Sequence, residues 1–140
     1  MGEFTVTRRL RHPAERVFDA WLDPKLAAKF LFATPTGQMI LAETDPRVGG
    51  TFTFVDRRPD TGDVLHTGEY LEIDRPRRLV FTFAVPAHNP NATRVEVEIA
   101  PTADGCEVRL TQRDTPDEWV EPSTKGWTMI LEALDAALGA

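Results

Sequence analysis

The sequence predicts an α+β domain in which a curved antiparallel sheet of six or seven strands wraps around a long C-terminal helix, with two short helices after the first strand. Three observations carry that expectation. Between Gln38 and Arg113 apolar residues recur at every second position, the period of a half-buried strand. Past Ser123 the period lengthens to that of a helix, and after the first strand two proline-led helix starts stand close together.

Phe4 to Arg11 read as the first strand, with Phe4, Val6 and Leu10 alternating against Thr5, Thr7 and Arg9. Pro13 suits a first helical position, where its missing N–H would be unpaired anyway, and Glu15 follows where the helix dipole favours a carboxylate. Ala14, Val17, Phe18, Trp21 and Leu22 then form one apolar face. Asp23-Pro24 repeats the signal, so a second short helix is expected to about Phe30. Turn chemistry at Gly49-Gly50, Pro59–Gly62, Asp74–Pro76, Pro86–Asn91 and Asp104-Gly105 separates strands near 38–44, 51–57, 64–73, 79–85, 93–100 and 106–113. Short connections make these antiparallel, one face dry and the other wet. Thr115-Pro116-Asp117-Glu118 has the form of a capping box, which predicts a brief helical turn ended by Pro122. A separate main helix follows, with Trp127, Ile130, Leu131, Leu134 and Leu138 on one stripe and Gly139 as its stop.

At 140 residues the chain fits one domain, 1–140, large enough to bury a core. Hydrophobic residues at 41% and charged residues at 27% exclude the signature of disorder. The first ten residues lack the apolar region of a secretory signal, and no stretch approaches the ~20 apolar residues of a membrane span, so a cytoplasmic protein without membrane insertion is expected. In that compartment the Asn91-Ala92-Thr93 sequon carries no meaning. Cys106 is the only cysteine, which rules out an intrachain disulfide and a cysteine metal cluster. A net charge of −6 argues against a nucleic-acid partner, and the local groups Arg8/Arg9/Arg11 and Arg75/Arg77/Arg78 read as solvated strand ends.

Ser123 is the only serine and stands in Pro-Ser-Thr-Lys-Gly rather than a nucleophile elbow, so it reads as a helix cap. Gly49-Gly50 lacks the spacing of a phosphate loop. His12, His66 and His88 fall on separate elements, and residues three apart on a strand face oppositely, so His66 and Glu69 do not make a metal pair. His66, Gly68 and Tyr70 share one face; Glu69 takes the other, and which of the two is concave is open. Glu96 and Glu98 are placed on the wet face. Trp21, Phe30, Phe32, Phe52, Phe54, Tyr70, Phe81, Phe83, Trp119 and Trp127 fall on or beside inward faces, as core or as the wall of an apolar pocket. Gly126 early in the helix suggests close helix-to-sheet approach or a bend at a pocket mouth.

The stretches 8–30 (RRLRHPAERVFDAWLDPKLAAKF), 44–54 (TDPRVGGTFTF), 68–83 (GEYLEIDRPRRLVFTF) and 125–138 (KGWTMILEALDAAL), in that order and spacing, resemble the START/Bet v 1-like (SRPBCC) superfamily, and within it bacterial proteins similar to the C-terminal domain of the Hsp90 ATPase activator. The resemblance implies the helix-grip fold and a cavity between sheet and terminal helix that takes hydrophobic or aromatic compounds. Family members often carry a histidine three residues before the Gly-Trp of the last helix; here that position is Ser123. The expected function is binding of a small hydrophobic or aromatic ligand as carrier or sensor, without cofactor or metal, in a cavity opening near the two short helices. Its walls are expected from Trp21, Phe30, Phe52, Phe54, His66, Tyr70, Phe83, Trp127, Ile130 and Leu134. The alternatives are a cyclase- or hydrolase-type enzyme using the same cavity and an Hsp90-type chaperone regulator; a homodimer is compatible with either.

Overall fold

The structure, a computed structural model, describes residues 2–31, 38–59, 62–85 and 92–139. Phe32, His88 and Asn91 lie outside the described residues. The elements run β1 (Gly2–Leu10), α1 (Ala14–Leu22), α2 (Pro24–Phe30), β2 (Gln38–Thr44), β3 (Thr51–Arg58), β4 (Gly62–Asp74), β5 (Arg78–Phe83), β6 (Thr93–Thr102), β7 (Gly105–Thr115) and α3 (Asp117–Leu138). The strands form one seven-stranded sheet in the order β1-β7-β6-β5-β4-β3-β2, antiparallel throughout. This is the helix-grip arrangement: α3 packs across β1 and against α2, and its Trp127, Leu131, Leu134 and Leu138 join the strand residues of the sheet's concave face in one hydrophobic cluster.

Local chemistry accounts for most boundaries. The Asp23 carboxylate accepts from the Lys25 N–H at 2.9 Å, capping α2 with Pro24 in its first turn. Gly49 turns at φ 86° into β3, a left-handed conformation that costs glycine little. Gly68 has a different requirement: a Cβ there would stand 1.9 Å from the Thr82 carbonyl oxygen, so only glycine lets β5 approach.

Four expectations are corrected. The helical turn after Thr115 and the main helix are one element, α3, which passes through Pro122. Proline removes the N–H that would pair with the Glu118 carbonyl, and the helix continues through it to the buried turns from Trp127 onward. The capping box does not form, because Pro116 occupies the N-cap and no side chain caps it. Gly126 makes no close approach to the sheet: a Cβ there would meet nothing within 4 Å. Glu96 is on the outer face as expected but only 8% exposed, held by Arg94 and Arg113 at 3.1 Å. Burial alone would raise its carboxyl pKa, yet the Arg113 bond and the charges of Arg113, Arg78 and Arg94 bring it below the ordinary value.

Candidate functional site

Three strand ends and the first turns of α3 border a half-open cavity of about 210 Å³. Phe83, Ala84 and Val85 line it from β5 and the residues after it, Thr93 from β6, Gln112 and Thr115 from β7, and Pro116, Trp119, Pro122 and Ser123 from the helix start. Trp119, Pro122 and Ser123 share a face because residues three and four apart on a helix are neighbours. None of these lining residues is charged.

A chain of hydrogen bonds runs under the strand walls. The Trp127 indole N–H donates to Gln112 Oε1 at 2.6 Å. Gln112 Nε2 donates to Thr93 Oγ1 at 2.9 Å, and the Thr93 hydroxyl donates to the Phe83 carbonyl at 3.1 Å. An indole can only donate, so its bond fixes the Gln112 amide and each step after it. Thr115 is 1% exposed, and its hydroxyl has no hydrogen-bond partner among the described residues.

Of the sequence-expected wall, Phe83 alone lines this cavity. Trp21, Phe30, Phe52, Phe54, Tyr70, Trp127 and Leu134 are buried in the packed cluster, with Ile130 partly buried against it. Trp21 stands edge-on to Phe30 at 5.3 Å and beside Trp127 at 6.3 Å, which fills the space under the two short helices. That filling is the physical reason the expected opening near α1 and α2 is not where the cavity lies: no residue of either helix is among its described walls.

His66 and Tyr70 take the concave face and Glu69 the exposed one, which settles the alternation left open by sequence. His66 stacks on the lining residue Phe83, ring centres 6.1 Å apart and planes 3° from parallel, and is not itself among the described lining residues. Burial, reinforced by the Arg58 charge, pushes the His66 pKa down to about 4, leaving a neutral ring at neutral pH. Burial with the nearby Asp45 carboxylate pushes the Tyr70 phenol above its ordinary value. Among the described residues no three His, Cys, Asp or Glu side chains gather as metal ligands, and no helix is long and apolar enough to cross a membrane.

Sequence reasoning did not single out Thr93, Gln112, Thr115, Ser123, Pro116, Pro122, Ala84 or Val85 as walls. Gln112 had a signal: it continues the inward alternation of Cys106, Val108 and Leu110, and a polar side chain at an inward position needs a partner. Ser123, expected as a helix cap, is instead on the cavity face of an uninterrupted helix.

A sheet gripping a terminal helix with a side cavity between them defines an SRPBCC-type helix-grip domain. The family model described as activator of Hsp90 ATPase homolog 1-like protein matches residues 11–139, and the chain belongs to that family. Among solved structures, a Chromobacterium violaceum protein is 27% identical, with 97% of this chain and 96% of that one covered at a TM-score of 0.85. An AHSA1-like protein from Aeromonas hydrophila is 22% identical over 98% of this chain and 92% of its own, also at a TM-score of 0.85. A Staphylococcus aureus protein of unknown function shares the fold at 15% identity, with 98% and 93% coverage and a TM-score of 0.84. No curated protein matches.

Proposed function

We propose that this protein binds one small, neutral, largely apolar molecule in the cavity under the start of α3, acting as a carrier or sensor. The observation that carries the proposal is the composition of the wall: apolar side chains from strands and helix, a few polar groups, and no charged residue among the described lining residues. A charged guest would lose its hydration there without a counter-charge, whereas apolar surface gains by leaving water. The family's fold is consistent with ligand binding of this kind. A catalytic use would draw its acid–base groups from His66 and Tyr70. The first stacks on Phe83 and the second packs on Phe52 at 5.6 Å, and neither is among the described lining residues, which favours binding over turnover.

Titration with toluene, followed by NMR of backbone and indole N–H groups, tests the reading. Saturable one-to-one shifts confined to the cavity wall are expected, and Ser123→Trp, which puts a bulky ring into the cavity, should abolish them while leaving the melting temperature within a few degrees. Unsaturable shifts, or binding that survives Ser123→Trp, would rule it out. Native mass spectrometry of the protein as purified adds the identity of any copurifying molecule. A chaperone regulator would instead bind an Hsp90 homologue equally well with Ser123→Trp.

A further inference from the structure

The alternation of β7 puts Cys106, Val108, Leu110 and Gln112 on its inward face, three apolar side chains followed by a polar one. A fourth apolar residue would extend the core there, and a buried amide costs free energy unless its hydrogen bonds are made. Gln112 is 3% exposed and makes two: it accepts from Trp127 at 2.6 Å and donates to Thr93 at 2.9 Å. The paired register of β6 and β7 runs from Thr102↔Gly105 to Arg94↔Arg113 and leaves Thr93 beyond its end. There Asp114 turns left-handed at φ 62°, and β7 spends three steps from Gln112 to Thr115 where β1 spends two from Phe4 to Gly2, a β-bulge. The Gln112–Thr93 bond ties the two strands together just where their ladder stops.

The tie belongs to a closed circuit. The Thr93 hydroxyl donates to the Phe83 carbonyl at 3.1 Å, and the Phe83 ring meets Trp127 in a T-shaped contact with centres 5.9 Å apart. One residue each from β5, β6, β7 and α3 makes up the circuit. Of the described lining residues, Phe83 is the one aromatic that the sheet contributes, and it is held three ways: its carbonyl by Thr93, its ring by Trp127 and again by the stacked His66. A ring beside open space lacks neighbours on one side, and packing alone leaves it free to relax into the void. Hydrogen bonds are directional, and a fully satisfied buried chain of them fixes one arrangement.

We propose that Gln112 is a positioning residue: through Trp127 on one side and Thr93 on the other, it holds the Phe83 wall in its guest-ready arrangement before a guest arrives. This rests on the ligand-binding reading above and adds what keeps that site preformed. A wall that is competent only part of the time weakens binding by that fraction.

Two readouts test it. In the free protein, NMR follows the Trp127 indole N–H and the flips of the Phe83 ring. Thr93→Val, one hydrogen bond removed from the indole, should shift the indole resonance and speed the flips. Gln112→Met, which keeps the side chain's length and makes neither bond, should do the same. In the toluene titration each variant should bind about fivefold more weakly, the worth of one buried hydrogen bond. Thr93→Ser, which restores the hydroxyl, should recover the affinity, and the Thr93 pair decides the matter should the methionine variant fold poorly. The double variant should bind no more weakly than either single one, because a chain broken once is already broken. Losses that multiply would make Gln112 and Thr93 separate wall contacts and overturn the proposal. So would indole and ring signals indifferent to Thr93→Val, or toluene affinity unchanged by both substitutions. Failure of toluene to saturate even the unaltered protein would overturn the ligand-binding reading and this proposal together, whereas the other outcomes overturn this proposal alone.

Discussion

The two ends of α3 face the same sheet and meet it differently. Over the last turns, Leu131, Leu134 and Leu138 are at most 3% exposed and press into a cluster with Trp21, Phe54 and Phe81. Over the first turns, Trp119 is 37% exposed, Pro122 interrupts the hydrogen bonds, and the helix stands over the cavity rather than in a core. Trp127 is the boundary, touching Trp21 on the packed side and Phe83 on the open side. One helix thus anchors the fold with one half and roofs the cavity with the other. Close packing and open space are spatially separated along it.

The separation is most exposed to a truncation pair. Phe54→Ala removes a fully buried ring from the packed end and should cost about 3–5 kcal/mol, transfer and cavity terms together. Val85→Ala, on a half-buried cavity wall, should cost under about 1 kcal/mol because the space beside it already exists. Urea unfolding midpoints measure both. Similar costs would mean that the cavity end carries as much packing as the core and would break the comparison.

A smaller effect sits at the junction, where His66 stacks on the cavity residue Phe83. Its folded pKa is about 4 against 6.5 unfolded. Between those values the unfolded chain binds a proton that the native state refuses, so stability must rise with pH across that window and fall as pH drops through it. The size is roughly 3 kcal/mol from this one group, present in full above the unfolded value. Urea melts from pH 7 down to pH 4 should show that loss, and His66→Leu should flatten this component while leaving carboxylate titration below it. An unchanged slope would mean that the ring is protonated in place and that the junction is wetter than its burial implies.

The legible part of the molecule was the part governed by periodicity. Alternation located the strands because each must bury one face, and the Asp23-Pro24 cap located α2 because its chemistry is local. The inward positions of Phe52, Phe54 and Trp127 were equally readable, but the sequence assigned these side chains to the cavity wall and the structure packs them into the core. The cavity was not, and for a definite reason: its walls depend on a departure from periodicity. The left-handed Asp114 shifts Thr115 across the sheet, and a helix that runs through Pro122 converts Ser123 from an expected cap to a wall. Neither event is dictated by nearest neighbours. Each depends on tertiary pairing, that of β7 with β1 and that of α3 with the sheet. The overall helix-grip arrangement, by contrast, followed from elements whose order and amphipathic faces leave few ways to cover one another.

The mildest test concerns the helix itself, just before the boundary at Trp127. Gly126 lies inside α3, its φ is not left-handed, and a Cβ there would meet nothing within 4 Å. Glycine in such a position gives up helix propensity without any compensating contact, so Gly126→Ala should stabilise the protein by about 0.8–1 kcal/mol. The gain should appear as slower amide exchange across residues 117–126, where the helix has few buried contacts, with little change over the Leu131–Leu138 end. If the roof must open for a guest to enter, the same substitution should slow toluene association and dissociation together, leaving the equilibrium constant nearly unchanged. A stabilisation spread evenly along α3 would instead show that the helix opens as one unit, and that its two halves, though packed differently, are energetically a single element.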